Sequence, residues 1–326
     1  MKAVVCTQYG SPDVLQIQEV DKPTPDDNDL LIKIHATTVS SGDYSVRSFT
    51  VPAGLWIPSR IALGLRKPRQ SILGMELSGV VEGVGKDVTL FKPGDQVFAY
   101  SGTSFGAYAE FICLSADSAV VHKPENITYE QAAAILHGAL AALYFLRDKG
   151  KLLPGEKLLI NGASGAVGAA AIQLAKVIGA EVTGVCSTEN VELVFTLGAD
   201  YVIDYKKEDF VKNGINYDII FDAVSKCSFT QCKDSLANNG RYILTLAGVL
   251  QYLQIFCTAI SGGKRIIGGS ATEKKEDLIF IQQLVSEGKL IAAIDRCYPM
   301  EHIVKAHQYA EKGHKKGSVV IIVTPE

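Results

Sequence analysis

The sequence predicts an α/β protein in which a doubly wound parallel sheet follows a region of short β segments. Three observations predict it. From Lys157 onward, apolar strands alternate with amphipathic helices at the spacing of βα units. A glycine-rich turn lies between the first of those strands and the first of those helices. Ahead of them, Val- and Ile-rich segments are broken by glycine and proline at the close spacing of a β-barrel or sandwich.

Taken in order, the β-rich region reads as segments 2–6, 14–20, 29–39, 77–85, 94–100 and 106–114, punctuated by Pro12, Pro23, Pro25, Gly83, Gly85, Pro93-Gly94 and Gly106. A basic, proline-containing insert at 45–72 interrupts it and reads as loop and short helix. Thr128-Tyr-Glu-Gln131 is a capping box, and it opens an Ala/Leu-rich helix of about 20 residues that stops at Lys149-Gly150. Strands then follow at 157–161, 181–187, 201–205, 217–224, 241–248 and 264–271, with helices between them. A last strand, 318–323, is placed to return to the first domain.

A chain of 326 residues is long enough for two cores. At 47% hydrophobic and 21% charged, with 11 prolines, it buries enough apolar surface to exclude disorder and collagen-like structure. Lys+Arg of 32 against Asp+Glu of 35 gives a net charge of −3, and Lys206-Lys207 and Lys315-Lys316 are only pairs, so nucleic acid is not an expected partner. Seven scattered cysteines without a C-x-x-C predict reduced thiols in a cytosolic compartment. The N-terminus lacks the pattern of a secretory signal. The most apolar segment, 132–146, is shorter than the roughly 20 residues of a membrane span. The expected location is the cytoplasm.

The turn Gly162-Ala-Ser164-Gly165-Ala166-Val167-Gly168 joins a strand to a helix, which is the context a dinucleotide fingerprint requires. Glycines allow the sharp turn and let backbone approach a pyrophosphate, whose charge then rests on the helix N-terminus. Here the spacing is G-x-x-G-x-x-G, with Ser164 at the usual middle glycine. A ligand-free packing turn is the alternative. The second strand ends at Val185-Cys186-Ser187-Thr188 without the acidic residue that would hold ribose hydroxyls. That favours NADPH over NADH, with Ser187 hydrogen-bonding the 2′-phosphate; Glu189 opposes this if it points inward. Tyr205 closes the third strand, placed either against adenine or as a half-buried strand residue.

These residues, with Gly74–Tyr100, the run 184–210, Phe221-Asp222-Ala223-Val224 and 313–323, give a resemblance over essentially the whole chain. The sequence resembles the medium-chain dehydrogenase/reductase superfamily, in its zinc-free quinone oxidoreductase branch. The resemblance implies a GroES-like barrel at 1–125, a Rossmann domain at 126–270 and C-terminal helices and strand at 271–326 that complete the barrel. It implies a cofactor held between the two domains, and a homodimer. It also brings the backbones of Asp222, Ala223, Val224, Leu246 and Ala247 to the nicotinamide and adds Lys316 to the cofactor residues. Asp222 is equally able to cap the following turn.

Zinc-dependent members use a Cys, a His in G-H-E and a further Cys; the matching positions here are Ser40, Met75 and His137. One imidazole does not make a site that wants three protein ligands. Only Cys113 lies where a structural-zinc loop would be. The implied enzyme is metal-free, and its acceptors are quinones and α,β-unsaturated carbonyls, whose developing charge needs only hydrogen-bond donors. In the family's S-V-N-P-V-D-W pattern this chain has Thr38-Val39-Ser40-Ser41-Gly42-Asp43-Tyr44, making Ser40 and Tyr44 candidate donors. A polar loop with a packing tyrosine is the alternative. His137 stands where the branch usually has an apolar residue, and reads either as a core histidine or as a general acid. Two rival functions remain: a nicotinamide-binding redox sensor or structural protein with little turnover, and an enoyl reductase acting on acyl thioesters.

Overall fold

The structure, a computed structural model, describes every residue except Ala53, Ser270, Thr272, Glu273 and Glu326. Ser270, inside the expected strand at 264–271, therefore lies outside the described residues. Two compact units emerge, one from 1–51, 56–137 and 273–326, the other from 52–55 and 138–272.

In the first unit, β1 (Lys2–Cys6) and β2 (Leu15–Glu19) form an antiparallel pair. β3 (Asp29–Thr38) precedes two short helices, α1 (Ser41–Ser48), which starts ahead of the insert expected at 45–72, and α2 (Trp56–Leu63), which lies within it. β4 (Glu76–Val84), β5 (Gln96–Tyr100), β6 (Phe111–Ser115) and β7 (Val120–His122) follow, and then α3 (Tyr129–Ala142). The sequence reading lacked β7, because three residues are too few to show alternation. The division at 137/138 runs through α3. Its first half packs Tyr129, Ala133 and Ala134 on Ala36 and Val320 of the first unit. In its second half, Gly138 lies so near the start of the next helix that a Cβ there would sit 2.4 Å from the Ala166 carbonyl oxygen.

The second unit is the doubly wound sheet. β8 (Lys157–Asn161), α4 (Ala166–Ile178), β9 (Glu181–Cys186), α5 (Val191–Thr196), β10 (Tyr201–Asp204), β11 (Tyr217–Asp222), α6 (Phe229–Cys232), β12 (Leu236–Leu244), α7 (Val249–Ser261) and β13 (Arg265–Ile267) succeed one another. Its six strands lie in the order β10-β9-β8-β11-β12-β13, all parallel. Strand order therefore reverses at β8, and a crevice opens beyond its carboxyl end, where ligands of such sheets bind. The strands are apolar on both faces because helices cover both. On α4, Ala171, Ile172, Leu174 and Ala175 are buried; burying Ile172 alone stabilises by about 1.5–3 kcal/mol. Gly179 ends that helix in the left-handed conformation, φ +95°.

The chain then returns to the first unit through α8 (Lys275–Ser286), β14 (Ile294–Pro299), α9 (Ile303–Ala310) and β15 (Ser318–Ile322). β15 pairs antiparallel with β3, closing a sheet ordered β14-β15-β3-β4-β5-β7, with β6 also on β3.

Candidate functional site

The glycine turn follows β8 at the point where strand order reverses, and its three glycines do different work. Gly162 has φ +84°, and a Cβ there would meet Val224 at 2.5 Å. Gly168 lies under the turn, where a Cβ would sit 2.2 Å from the Gly162 oxygen and 2.7 Å from Ala163 Cα. Both are fixed by packing. Gly165 is not: its φ of −77° suits any residue, and a Cβ would have its nearest contact at 3.5 Å. It is the N-cap of α4, supplies no side-chain cap, and no acidic residue occupies the first turn. The leading N–H groups of a helix have no intrahelical acceptor, so partly exposed Ala166 and Val167 present donors at the positive end of the dipole. A fold that needs glycine at 162 and 168 but leaves 165 open fits a pyrophosphate approaching backbone there.

Beside this turn lies a small polar cluster. Asn190, at the start of α5, donates through Nδ2 to Ser164 Oγ at 3.0 Å and to Ser187 Oγ at 3.2 Å. All three are buried, and Asn190 Oδ1 has no hydrogen-bond partner among the described residues. Asn190 was not singled out in the sequence; a polar residue in the first turn after a strand reads there as helix start only. Glu189, the residue in the way of a phosphate, is exposed and pairs with Lys206 at 2.9 Å, with the Ser187 side chain also beside its carboxylate. Tyr205 follows β10 with its side chain more than half exposed.

At the next strand the Asp222 carboxylate is fully buried and faces inward. It accepts from Asn161 Nδ2 at 3.0 Å, Cys227 N at 2.9 Å, Val224 N at 3.3 Å and Tyr242 Oη at 3.1 Å. Its side chain thus caps the turn after β11, leaving only backbone for a ligand. Ala223 N donates to Asn161 O, while Val224 and Leu246 are exposed and Ala247 is buried. Lys316 belongs to the other unit, where its N–H donates to Asp295.

The candidate catalytic residues all lie in the first unit. Ser40 is the N-cap of α1 and forms a capping box: its hydroxyl donates to Asp43 Oδ2 at 2.6 Å and accepts from Asp43 N at 3.2 Å. This corrects the expectation of a free donor, since the one proton of the hydroxyl is spent on Asp43. Asp43 itself is fully buried, also accepts from Gly74 N at 3.0 Å, and is pushed up to about 6 by burial. Tyr44 is half-buried against the core around Val39 and Leu73, and burial raises its phenol.

His137 places Nδ1 3.2 Å from the Tyr100 hydroxyl. Burial, helped by the Lys315 charge, lowers its imidazole to about 4. It is therefore neutral near pH 7, which argues against a protonated general acid and for a hydrogen-bonded core histidine. The residue that sequence reasoning passed over is Glu76, read only as part of Gly74-Met75-Glu76. It is buried, accepts from Thr38 Oγ1 and from His137 N at 2.6 Å, and is pushed up to about 7 by burial. A carboxylate at the buried start of β4, where the strand's other acid, Glu82, lies at its exposed end, was its only signal.

The zinc positions do not fit that metal. Ser40 is engaged with Asp43, Met75 offers a thioether, and a single imidazole remains. Among the described residues, no group of three or more His, Cys, Asp or Glu is arranged to hold a metal ion. Nor is any helix among them long and apolar enough to cross a membrane.

Comparison with known proteins agrees with this architecture. The family model described as the alcohol dehydrogenase GroES-like domain matches residues 26–125, and the one described as zinc-binding dehydrogenase matches 197–321. The chain is 32% identical to the human mitochondrial NAD(P)H oxidoreductase RTN4IP1, over 99% of this chain and 89% of that protein. It is 29% identical to the chloroplastic quinone-oxidoreductase QR1 of Triphysaria versicolor, over 98% of each. The solved quinone oxidoreductase of Coxiella burnetii superposes with a TM-score of 0.87 at 30% identity, covering 99% of both chains. The chain belongs to the medium-chain dehydrogenase/reductase superfamily, in its quinone oxidoreductase-like branch.

Proposed function

We propose that this protein is a zinc-independent, NADPH-dependent oxidoreductase that passes hydride to a quinone or an α,β-unsaturated carbonyl. The observation that carries this reading is Gly165, a glycine at the mouth of the switch-point crevice that the fold itself does not require. Relatives named as quinone oxidoreductase and NAD(P)H oxidoreductase support it. Bound NADPH supplies the hydride. The chain's part is to hold and orient it: the N–H groups of Ala166 and Val167 take the pyrophosphate, with Gly165 leaving the approach open, Gly168 packing beneath the turn and Ser164 beside them. The carbonyl groups of Asp222, Ala223, Val224, Leu246 and Ala247 line the carboxyl edge, the N–H groups of Ala223 and Val224 being engaged within the turn. Ser187 and Lys206 are the donors for a 2′-phosphate, Lys206 already neutralising Glu189.

The donor set at Ser40, Met75 and His137 supports zinc independence, and activated acceptors need no Lewis acid. Tyr44 is the remaining side-chain donor candidate. A homodimer is the assembly we propose, supported by the edge position of β13 and by Leu250, Leu253, Phe256 and Ile260 exposed on α7. A cytoplasmic location is the reading the cysteine pattern supports, and the relatives above are named mitochondrial and chloroplastic.

The test is oxidation of NADPH and NADH, in parallel, by a simple quinone and a simple enone after treatment with a chelator. Turnover that survives chelation and prefers NADPH is the expected result. Tight binding of NADPH without turnover on either acceptor overturns the enzyme in favour of a sensor. Activity confined to acyl thioesters replaces the acceptor class.

A further inference from the structure

The insert around α2 is unlike the rest of its unit. Between Asp43 and Glu76 the sequence contains no acidic residue but five cations, Arg47, Arg60, Arg66, Lys67 and Arg69. Arg47 is buried and paired with Glu311. The others surround a helix with no buried residue, on which Trp56 is 56%, Ile57 67% and Ile61 62% exposed, with Leu65 75% exposed just beyond. Ile57, Ile61 and Leu65 recur every fourth residue and form one apolar stripe facing solvent. Helices that pack on a core turn such a stripe inward.

The outward arrangement is held in place. The Arg60 guanidinium lies over the rings of Phe49, Tyr9 and Trp56, at 3.8, 4.6 and 5.0 Å, and its Nη1 donates to Leu65 O at 2.7 Å. Arg69 Nη2 donates to Ile61 O at 2.8 Å, and Arg69 N to Leu63 O at 2.7 Å. Arg60 and Arg69 thus brace the helix and its following loop. Arg66 and Lys67 form no ion pair among the described residues and are exposed at the loop's tip.

We propose that α2 and the loop 64–69 dock this protein reversibly on an anionic lipid bilayer surface, with Trp56, Ile57, Ile61 and Leu65 entering the interface. Arg66 and Lys67 then meet lipid phosphates. Charge complementarity selects this occupant: exposed aliphatics flanked by unpaired cations, with no acid among them, match an apolar layer beneath a negative headgroup plane. The area is small, so binding is weak and salt-sensitive. The inference is independent of the hydride-transfer reading, since its readouts involve no turnover.

The sequence contains a single tryptophan, Trp56, so its emission reports the contact directly. The full chain is titrated with vesicles of phosphatidylcholine alone and of phosphatidylcholine with phosphatidylglycerol, following emission and co-sedimentation. A blue shift and sedimentation with the anionic vesicles only are expected. Arg66→Ala with Lys67→Ala lowers partitioning about 30-fold, from roughly a factor of five for each cation. Ile57→Ser with Ile61→Ser abolishes the blue shift while circular dichroism stays unchanged. The proposal is overturned by absence of binding to anionic vesicles, by equal binding to neutral ones, or by a double-cation variant that partitions like the parent. Sedimentation without a blue shift overturns it too, because the contact then lies elsewhere; a change of oligomeric state in the Ile57/Ile61 variant assigns the patch to a second copy instead.

Discussion

Gly165 and Gly168 differ by one turn of helix, and substituting each separates cofactor binding from folding. In Gly168→Ala the new methyl lies 2.2 Å from the Gly162 oxygen and 2.7 Å from Ala163 Cα, atoms of backbone that yield only if the turn opens. Overpacking of this kind costs about 1–3 kcal/mol, and removing a helix glycine returns up to about 1 kcal/mol. The net cost is at most about 2 kcal/mol, and at roughly 2–4 °C per kcal/mol the melting temperature of the cofactor-free protein falls by up to about 8 °C. Gly165→Val behaves oppositely: φ −77° and ψ 170° suit valine, and its Cβ has nothing nearer than 3.5 Å. Loss of a favourable N-cap residue costs at most about 1 kcal/mol. The side chain then fills the approach to the N–H groups of Ala166 and Val167, and NADPH affinity falls at least tenfold, about 1.4 kcal/mol. Melting without cofactor and titration of nicotinamide fluorescence measure the two effects on the same samples. A folded Gly165→Val protein that binds NADPH as tightly as the parent refutes the site.

Three further substitutions probe the polar groups. Glu76→Gln removes a carboxyl raised from 4.5 to about 7, whose own contribution to stability falls as pH rises between those values and is absent from the variant. Urea midpoints should diverge with pH in that window by on the order of 3 kcal/mol in the variant's favour, and parallel curves would show an ordinary titration. His137→Phe removes the contact with Tyr100 and should change kcat less than about threefold, whereas a hundredfold loss would make the imidazole an acid catalyst. Asp222→Ala strands the donors of Asn161, Val224, Cys227 and Tyr242 and should destabilise by about 3 kcal/mol or more. A fall in NADPH affinity in material that melts normally would instead put that carboxylate on the cofactor.

The parts of this molecule legible in its sequence are those fixed by neighbouring residues. The βα periodicity and the glycine turn impose their geometry within a few positions, so strands β8–β11 and helix α4 fall where their patterns put them, while β12 runs Leu236–Leu244 against the expected 241–248. The insert also declared itself, as a basic stretch of unsuitable composition for strands. What could not be read is whatever depends on distant contacts. Glu76 owes its raised proton affinity to burial between Thr38 on β3 and the backbone of His137 on α3, residues 38 and 61 positions away. Ser40 looks like a donor in the sequence because it falls with Asp43 inside the family's S-V-N-P-V-D-W pattern, although S-x-x-D is itself a cap signal. The outward face of α2 was equally hidden, since Trp, Ile and Leu at helical spacing normally predict burial.

The buried groups of the first unit also oppose one another, which decides how its pH response is to be read. Glu76 and Asp43, raised to about 7 and about 6, withdraw stability as pH rises through those values. His137 and His307, lowered by burial to about 4 and about 3, withdraw it as pH falls. Their windows overlap between the unfolded carboxyl values and the unfolded imidazole value of 6.5, so the slopes largely cancel in the parent protein. A flat stability profile from mildly acidic to neutral pH is then the sum of large opposing linkages and no sign that the groups are solvated. Removing one member uncovers the others. Without Glu76 the imidazoles are left less opposed, and the variant gains stability with pH where the parent stays level.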